Sequence, residues 1–352
     1  MKLPGELVAR WTPDYQGRSV CVTGAAGFIG GHLLDALISL GATVCAIDDL
    51  SNSAADHVAS LIELDPARVR FLHASVLDPG ALDESVRGCS LVFHLAALGS
   101  VPRSMVMPER AMIVNAHGTV AVLQAARRAG VPRVVLASSS SVYGDTGVQT
   151  HGPAAPGPPV AKSESMAPAP RSPYAASKLA AEAAMQAWHH SFGLQTLSLR
   201  LFNVFGPRQP PAGSYAAVIP AFARAVWRGS RPVVYGDGSQ SRDFTPVAAA
   251  VAAFLQSGST RRPLTGQALN IGTGERCPVS QLAQMIAHAA GRPDLMPEFQ
   301  PPRAGDVQHS LADISAARAL IDYAPVATLR SALPETVLSY RDGGVDVTEF
   351  AQ

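Results

Sequence analysis

A tyrosine and a lysine stand four residues apart in SPYAASKLAAEAA, at Tyr174 and Lys178. On a helix that spacing puts both side chains on one face. A phenol titrates near ~10 and is a poor base at neutral pH unless a neighbouring cation favours the phenolate. Lys178 is such a cation, in a chain whose only lysines are Lys2, Lys162 and Lys178. A second stretch, VVLASSSSVYGD, ends a candidate strand in a serine run, and one of its hydroxyls could bond a reacting oxygen and share its proton with the tyrosine. A third, VCVTGAAGFIGGHLL, spaces Gly24, Gly27 and Gly30 between a strand and a helix. Bare backbone there lets N–H groups at a helix N-terminus approach a pyrophosphate that side chains would block. Asp48 ends the next candidate strand, where a carboxylate could accept ribose hydroxyls. Asp49 follows it and no arginine is adjacent in the chain, so a 2′-phosphate would meet repulsion and the expected cofactor is NAD, not NADP.

Each of these stretches has a plain reading by itself: a solvated lysine beside an exposed aromatic, loop serines, a structural glycine turn. Their order on one scaffold gives them weight. Apolar runs at Ser19 to Thr23, Thr43 to Ile47, Val69 to His73, Leu91 to Leu95, Arg133 to Ala137 and Gln195 to Leu199 alternate with helical patterns near Ile29 to Leu40, Arg110 to Ala129 and Pro173 to Phe192. That alternation predicts an α/β fold, a Rossmann-type doubly wound parallel sheet whose ligands sit at the carboxyl ends of its strands. After Arg200 the rhythm breaks into the Pro- and Gly-rich pieces GPRQPPAGS and YGDGSQSRDF. A smaller, discontinuous substrate lobe is expected at 204–240 and 274–352, with the dinucleotide domain at 1–203 and 241–273. Residues 147–161 are low in complexity and read as a loop over the active-site mouth.

Composition narrows the partners. The chain has 352 residues, 47% apolar and 16% charged, with 28 Lys+Arg against 27 Asp+Glu. It is long enough for two lobes and has no basic excess for nucleic acid or an anionic membrane. Cys21, Cys45, Cys89 and Cys277 form no CxxC pair and read as reduced thiols of a cytoplasmic protein, not a disulfide or zinc framework. The start, MKLPGELVAR, has no apolar signal core, and no apolar run is long enough to span a membrane.

TGAAGFIG, the serine-rich strand end and YxxxK resemble the extended short-chain dehydrogenase/reductase superfamily. The phrases HLAALGSVPRS, SSSSVYGD, SPYAASK, RLFNVFGPRQ, SYAAVIP, GDGSQSRDF, NIGTG and RAGDVQHSLADIS resemble nucleotide-sugar 4-epimerases, closest to UDP-N-acetylglucosamine 4-epimerases. The likeness runs from about residue 18 to about residue 325. It implies that Tyr174 is the base, that Lys178 tunes it and holds the nicotinamide ribose, and that Ser139 is the catalytic hydroxyl, with Ser140 and Ser141 toward the sugar. Gly24, Gly27, Phe28, Ile29 and Gly30 would cradle the cofactor, with Asp48 and Asp49 at its ribose. Asn203 and Arg242 would meet the diphosphate, and Arg303 with Asp306 the pyrophosphate and uridine ribose; an arginine fork suits phosphate oxygens. Ser310 would border the substituent on carbon 2. Enzymes restricted to glucose and galactose resemble one another in placing a tyrosine there, whereas a serine leaves room for an acetamido group; the plain alternative is that Ser310 caps a helix starting near Ala312.

The resemblance implies NAD-dependent 4-epimerisation of a UDP-sugar through a 4-keto sugar, in a homodimer paired through the helices at 110–129 and 173–192. Its rivals are epimerases of UDP-glucose or UDP-glucuronate, dehydratases or decarboxylases, and a non-catalytic NAD-binding protein. Dehydratase relatives place Asp or Glu just before VYG, where this chain has Ser140 and Ser141. The sequence departs from the pattern at Ser75, where an acidic residue usually meets the adenine, and at Pro246, Ala248 and Ala249 after SRDF.

Overall fold

The structure, a computed structural model, describes residues 5–144, 160–210, 217–302 and 308–341. Seven parallel strands form the central sheet: β1 (Ser19–Thr23), β2 (Thr43–Asp48), β3 (Val69–His73), β4 (Leu91–His94), β5 (Arg133–Ser139), β6 (Gln195–Leu201) and β7 (Thr265–Ile271). Their spatial order is β3-β2-β1-β4-β5-β6-β7. The chain therefore leaves β1 in one direction and returns at β4 in the other, which opens a crevice above the carboxyl ends of β1 and β4.

Both faces of the sheet are covered, so successive strand residues are buried whichever way they point. Val20, Val22, Val135 and Leu197 pack under the helices Phe28–Ser39 and Val247–Ser259. Cys21, Val92, Val134 and Leu136 pack on the opposite side against Val122, Leu123, Ala181 and Met185. Tyr15 at the end of an amino-terminal helix, Gly5–Tyr15, donates to the Leu255 carbonyl at 2.6 Å and closes the first face. A second apolar core joins the helices Val218–Trp227, Val279–Ala289 and Leu329–Leu338. Ala312, Ile314, Ala317, Ile321 and Tyr323 lie between segments of that second core in sequence, yet pack into the first.

The structure adds β7 to the six expected strands. Thr265 is exposed, the next three residues are half-buried, and the register shifts between Thr265 and Gln267, so the apolar signal is confined to its end. Strand β5 runs on through Ser138 and Ser139, two residues past the expected limit. The helix expected at 110–129 is interrupted: Pro108–Ala111 and Gly118–Arg128 are joined by a π-helical turn, Met112–His117. Such turns are rare overall and are frequent at functional sites. Here the wide turn carries Asn115, whose Oδ1 accepts from Leu98 N at 2.7 Å and whose Nδ2 donates to Ser177 Oγ at 2.9 Å.

Candidate active site

The glycine turn is dictated by close approach. Gly24 has φ +69°, and a Cβ there would fall on the Ala96 backbone; a Cβ on Gly30 would overlap the Gly24 carbonyl oxygen. The turn must therefore lack side chains at both positions, and it delivers the helix Phe28–Ser39 with its amino end at the crevice. Asp48 ties this turn to the end of β2: Oδ2 accepts from Ala26 N at 3.0 Å, and Oδ1 from Leu50 N at 2.8 Å and Ser53 Oγ at 3.1 Å. Burial raises its carboxyl above the usual range, opposed by these three donors. Asp49 is turned to Ser51, whose N and Oγ donate to it at 3.1 and 2.6 Å.

Gly24, Gly27, Asp48 and Asp49 line a cavity of about 470 Å³. Arg103 and Arg110 line it too, and Arg103 donates to the Asn52 side chain. Ser75 is used locally, its hydroxyl accepting from Leu77 N at 3.2 Å.

Ser172 starts the helix Pro173–Phe192: its side chain caps Ala175 N at 3.1 Å, Pro173 follows in the first turn, and Gly193 ends the helix in the left-handed region. Its inward face presents Ala175, Lys178, Ala181, Glu182 and Met185, the 3–4 spacing of a buried stripe that carries two charged residues. Lys178 is 3% exposed; Nζ donates to the Ala137 carbonyl at 2.8 Å and lies 6.0 Å from the centre of the Tyr174 ring. Burial brings its ammonium down to about 8, opposed by Glu182. Tyr174 and Ser139 line the same cavity; burial raises the Tyr174 phenol and the Ser139 hydroxyl lowers it. The Lys178 ammonium stands over the Tyr174 ring instead of bonding its oxygen.

Ser139 caps the turn Ser140–Tyr143, its Oγ accepting from Ser141 N at 3.2 Å and from Ser141 Oγ at 2.9 Å. A cavity of about 570 Å³ opens here. It gathers Ser139, Ser140, Ser141 and Tyr174 with Asn203, Arg242 and Ser310, and reaches Phe28 and Ile29 in the first turn of the glycine-loop helix. Asn203, in a left-handed conformation at φ +22°, donates from Nδ2 to the Asp243 carbonyl at 3.2 Å. Arg242 and Ser310 are register partners in a small sheet, and Arg242 donates to the Ser241 and Gln308 carbonyls. Ser310 caps no helix: it is a strand residue, 7% exposed, and the next helix begins at Ser315. Arg303, Asp306 and residues 147–159 lie outside the described residues.

Sequence reasoning missed several members of this cavity: Lys162, Arg171 and Gln209 line it. It also missed the polar layer beneath. Glu182 accepts from Ser138 at 2.5 Å and from both sides of the Arg200 guanidinium, with 2.7 Å to Nη2. Arg200 donates to Tyr143 Oη at 2.8 Å, and Tyr143 Oη to Asn270 Oδ1 at 2.7 Å. Asp243 of SRDF is also structural, accepting from Thr273, Gly274 and Ala312. Pro246 immediately precedes the helix Val247–Ser259, and Ala249 is fully buried, so the departures after SRDF fill a packed helix start. The four cysteines are free, and no group of metal ligands exists among the described residues. No described helix is long and apolar enough to cross a membrane.

The NAD dependent epimerase/dehydratase family model matches residues 20–272. A UDP-glucose 4-epimerase of Mycolicibacterium smegmatis is 39% identical over 325 residues, 91% of this chain and 98% of the relative. Among solved structures, a UDP-N-acetylglucosamine 4-epimerase from Methanobrevibacter ruminantium, in complex with UDP-N-acetylmuramic acid, superposes with a TM-score of 0.83 at 34% identity, covering 93% of this chain and 99% of that one. A UDP-glucose 4-epimerase from Thermotoga maritima with UDP-glucose does so with a TM-score of 0.81 at 31% identity, covering 92% and 99%. The chain belongs to the NAD-dependent epimerase/dehydratase family, and NAD is its cofactor. The cleared backbone at Gly24 and Gly30, beside a cavity bearing the Asp48–Asp49 pair, fits that group.

Proposed function

We propose that this family member is a UDP-sugar 4-epimerase acting on the UDP-N-acetylglucosamine/UDP-N-acetylgalactosamine pair. The observation that carries the reading is the meeting of Tyr174 and Ser139 at the sheet's carboxyl edge, one helical turn from Lys178, in a cavity that also holds Arg242 and Ser310. Gly24, Gly27, Phe28, Ile29, Gly30, Asp48 and Asp49 would hold NAD, whose chemistry would be to accept a hydride from carbon 4 and give it back on the opposite face. Tyr174 takes and gives back the proton of the 4-hydroxyl, with Ser139 bonded to the same oxygen. The Lys178 ammonium favours the phenolate and holds the nicotinamide ribose. Asn203 and Arg242, with Arg303 and Asp306, fix the nucleotide diphosphate while the sugar turns about its link to it; a fixed anchor lets both faces of carbon 4 reach one proton donor.

Two observations favour this outcome over 4,6-dehydration or decarboxylation. Ser140 and Ser141 occupy the positions before VYG, and among the described residues no carboxylate lines the cavity. The small Ser310, facing the same space, favours an N-acetylated sugar over plain glucose. We assign 1–203 and 241–273 to the dinucleotide domain, together with 312–323, which pack into its core, and 204–240 and the rest of 274–352 to the sugar lobe. We also propose a homodimer through the helices at 110–129 and 173–192, where Met112, Ile113 and Phe192 are exposed; light scattering reading a monomer at micromolar concentration would contradict it.

NMR of product mixtures from UDP-N-acetylglucosamine, UDP-glucose and UDP-glucuronate tests the reading. UDP-N-acetylgalactosamine is expected from the first. Protein that retains NAD and converts none of the three sugars would overturn it.

A further inference from the structure

Lys162 is unaccounted for by this reaction scheme. Its backbone N donates to the Leu311 carbonyl at 2.8 Å, and its own carbonyl accepts from Asp313 N at 2.9 Å and Asn270 Nδ2 at 2.8 Å. These bonds hold it beside the strand His309–Ser310. The residue is 4% exposed, yet it lines the cavity that contains Tyr174, Arg242 and Ser310. Its Nζ donates to the Gly144 carbonyl at 2.5 Å and lies 5.8 Å from the Tyr143 ring centre. Burial brings the ammonium down to about 8, and the positive charge of Arg242 acts in the same direction.

An ammonium has three donors, and among the described residues a neutral carbonyl is the hydrogen-bond acceptor this one has found. A cation so enclosed is costly without further acceptors. Gly144 closes the turn that begins at Ser139, which sets Lys162 at the sugar end of the cavity, with Ser310 on the adjoining strand.

We infer that Lys162 is a specificity-determining residue: its free donors meet an oxygen acceptor carried by the sugar beyond its ring hydroxyls, either an acetamido carbonyl or a carboxylate. The inference rests on the reading that this cavity takes a UDP-sugar. It adds a polar reason for selectivity to the steric one at Ser310. A purely structural lysine, pinning the Gly144 turn, would serve every substrate alike.

The test is calorimetric titration of NAD-loaded wild type and Lys162→Met with UDP, UDP-glucose, UDP-N-acetylglucosamine and UDP-glucuronate. The variant should lose about 10-fold or more in affinity for the acetylated sugar or for the uronate, and less than about 3-fold for UDP and UDP-glucose. Whichever decorated sugar suffers identifies the oxygen. Equal losses on all four ligands, or none on any, overturn the inference; a loss already complete with UDP would place Lys162 on the diphosphate and overturn it too. Should Lys162→Met not fold, Lys162→Gln keeps a polar stem without the charge and is held to the same outcomes. Failure of wild type to epimerise any sugar would remove the proposed function while leaving these affinities to judge Lys162.

Discussion

Around Gly24 and Asp48 the chain makes its cofactor end from one short stretch, in which the carboxylate of residue 48 bonds the backbone of residue 26. Around Ser139 and Ser310 it makes the substrate end from segments scattered over about half its length, with Glu182 on a helix, Arg200 on β6, Tyr143 in a turn and Asn270 on β7 sharing one hydrogen-bonded layer. The first is a backbone device, fixed by what glycine lacks. The second is a side-chain device, fixed by what a buried polar group demands. The cofactor is common to a family, so a local and rigid solution suffices. The sugar varies, and dispersed side chains can be exchanged without rebuilding the sheet.

The largest effect should come from breaking the backbone device. Gly30→Ala puts a methyl group where the Gly24 carbonyl stands, so the turn must open. Purified variant should carry no NAD and show less than about a thousandth of wild-type turnover; full NAD content by absorbance after denaturation would contradict the account of the turn. Tyr174→Phe attacks the other end with less cost to the frame. Turnover should fall about 100-fold or more while UDP affinity is retained, since the phenol acts on the proton and not on the nucleotide. A variant keeping a tenth of the activity would displace Tyr174 from its role.

This asymmetry also explains what was legible in the sequence. The glycine turn, the Tyr174–Lys178 spacing and six of the strands are local patterns, and the structure places them where the patterns say. Lys162, Glu182 and Asn115 carry no local signature: each bonds a residue far along the chain, as Asn115 does with Ser177. The π-turn at Met112–His117 lay beyond reach because a helical apolar stripe does not reveal one extra residue in a turn. Lys162 alone left a trace, as a rare lysine in an arginine-dominated chain.

Ser310→Tyr sharpens the contrast within the substrate end. A ring in place of the hydroxyl, on the strand beside Arg242, should cut kcat/KM for the acetylated sugar at least about 10-fold relative to UDP-glucose. An unchanged ratio would remove the steric basis for N-acetyl selectivity. Glu182→Gln tests the layer beneath. It leaves Arg200, 6% exposed, facing a neutral amide, and should destabilise the fold by about 3–5 kcal/mol in denaturant titrations. NAD content should stay near wild type, because the glycine turn shares no bond with this layer; parallel loss of NAD would show that the two ends are not independent.

The smallest effect concerns the two buried lysines of the substrate end. Burial holds both Lys162 and Lys178 at about 8 in the fold, against an ordinary value of 10.5. Below about pH 8 both states are protonated and the folded chain bears the full cost of two enclosed cations. Between about 8 and 10.5 the folded state releases protons that the unfolded chain keeps, so this cost fades as pH rises. The wild-type curve alone would hide the effect: desolvation pushes up the thiols of buried Cys21, Cys45 and Cys277 and of half-buried Cys89, so the unfolded chain ionises first and their contribution falls across the same range. The difference between wild type and Lys162→Met/Lys178→Met cancels the thiols and isolates the ammonium groups. The double variant should be more stable than wild type at pH 7 by roughly 1–3 kcal/mol, with the hydrogen bonds to Gly144 and Ala137 offsetting part of the gain. That advantage should shrink toward zero by about pH 10. An advantage that is constant with pH would mean that the lysines are charged at every pH tested, and a less stable variant at pH 7 would mean that their hydrogen bonds outweigh their burial.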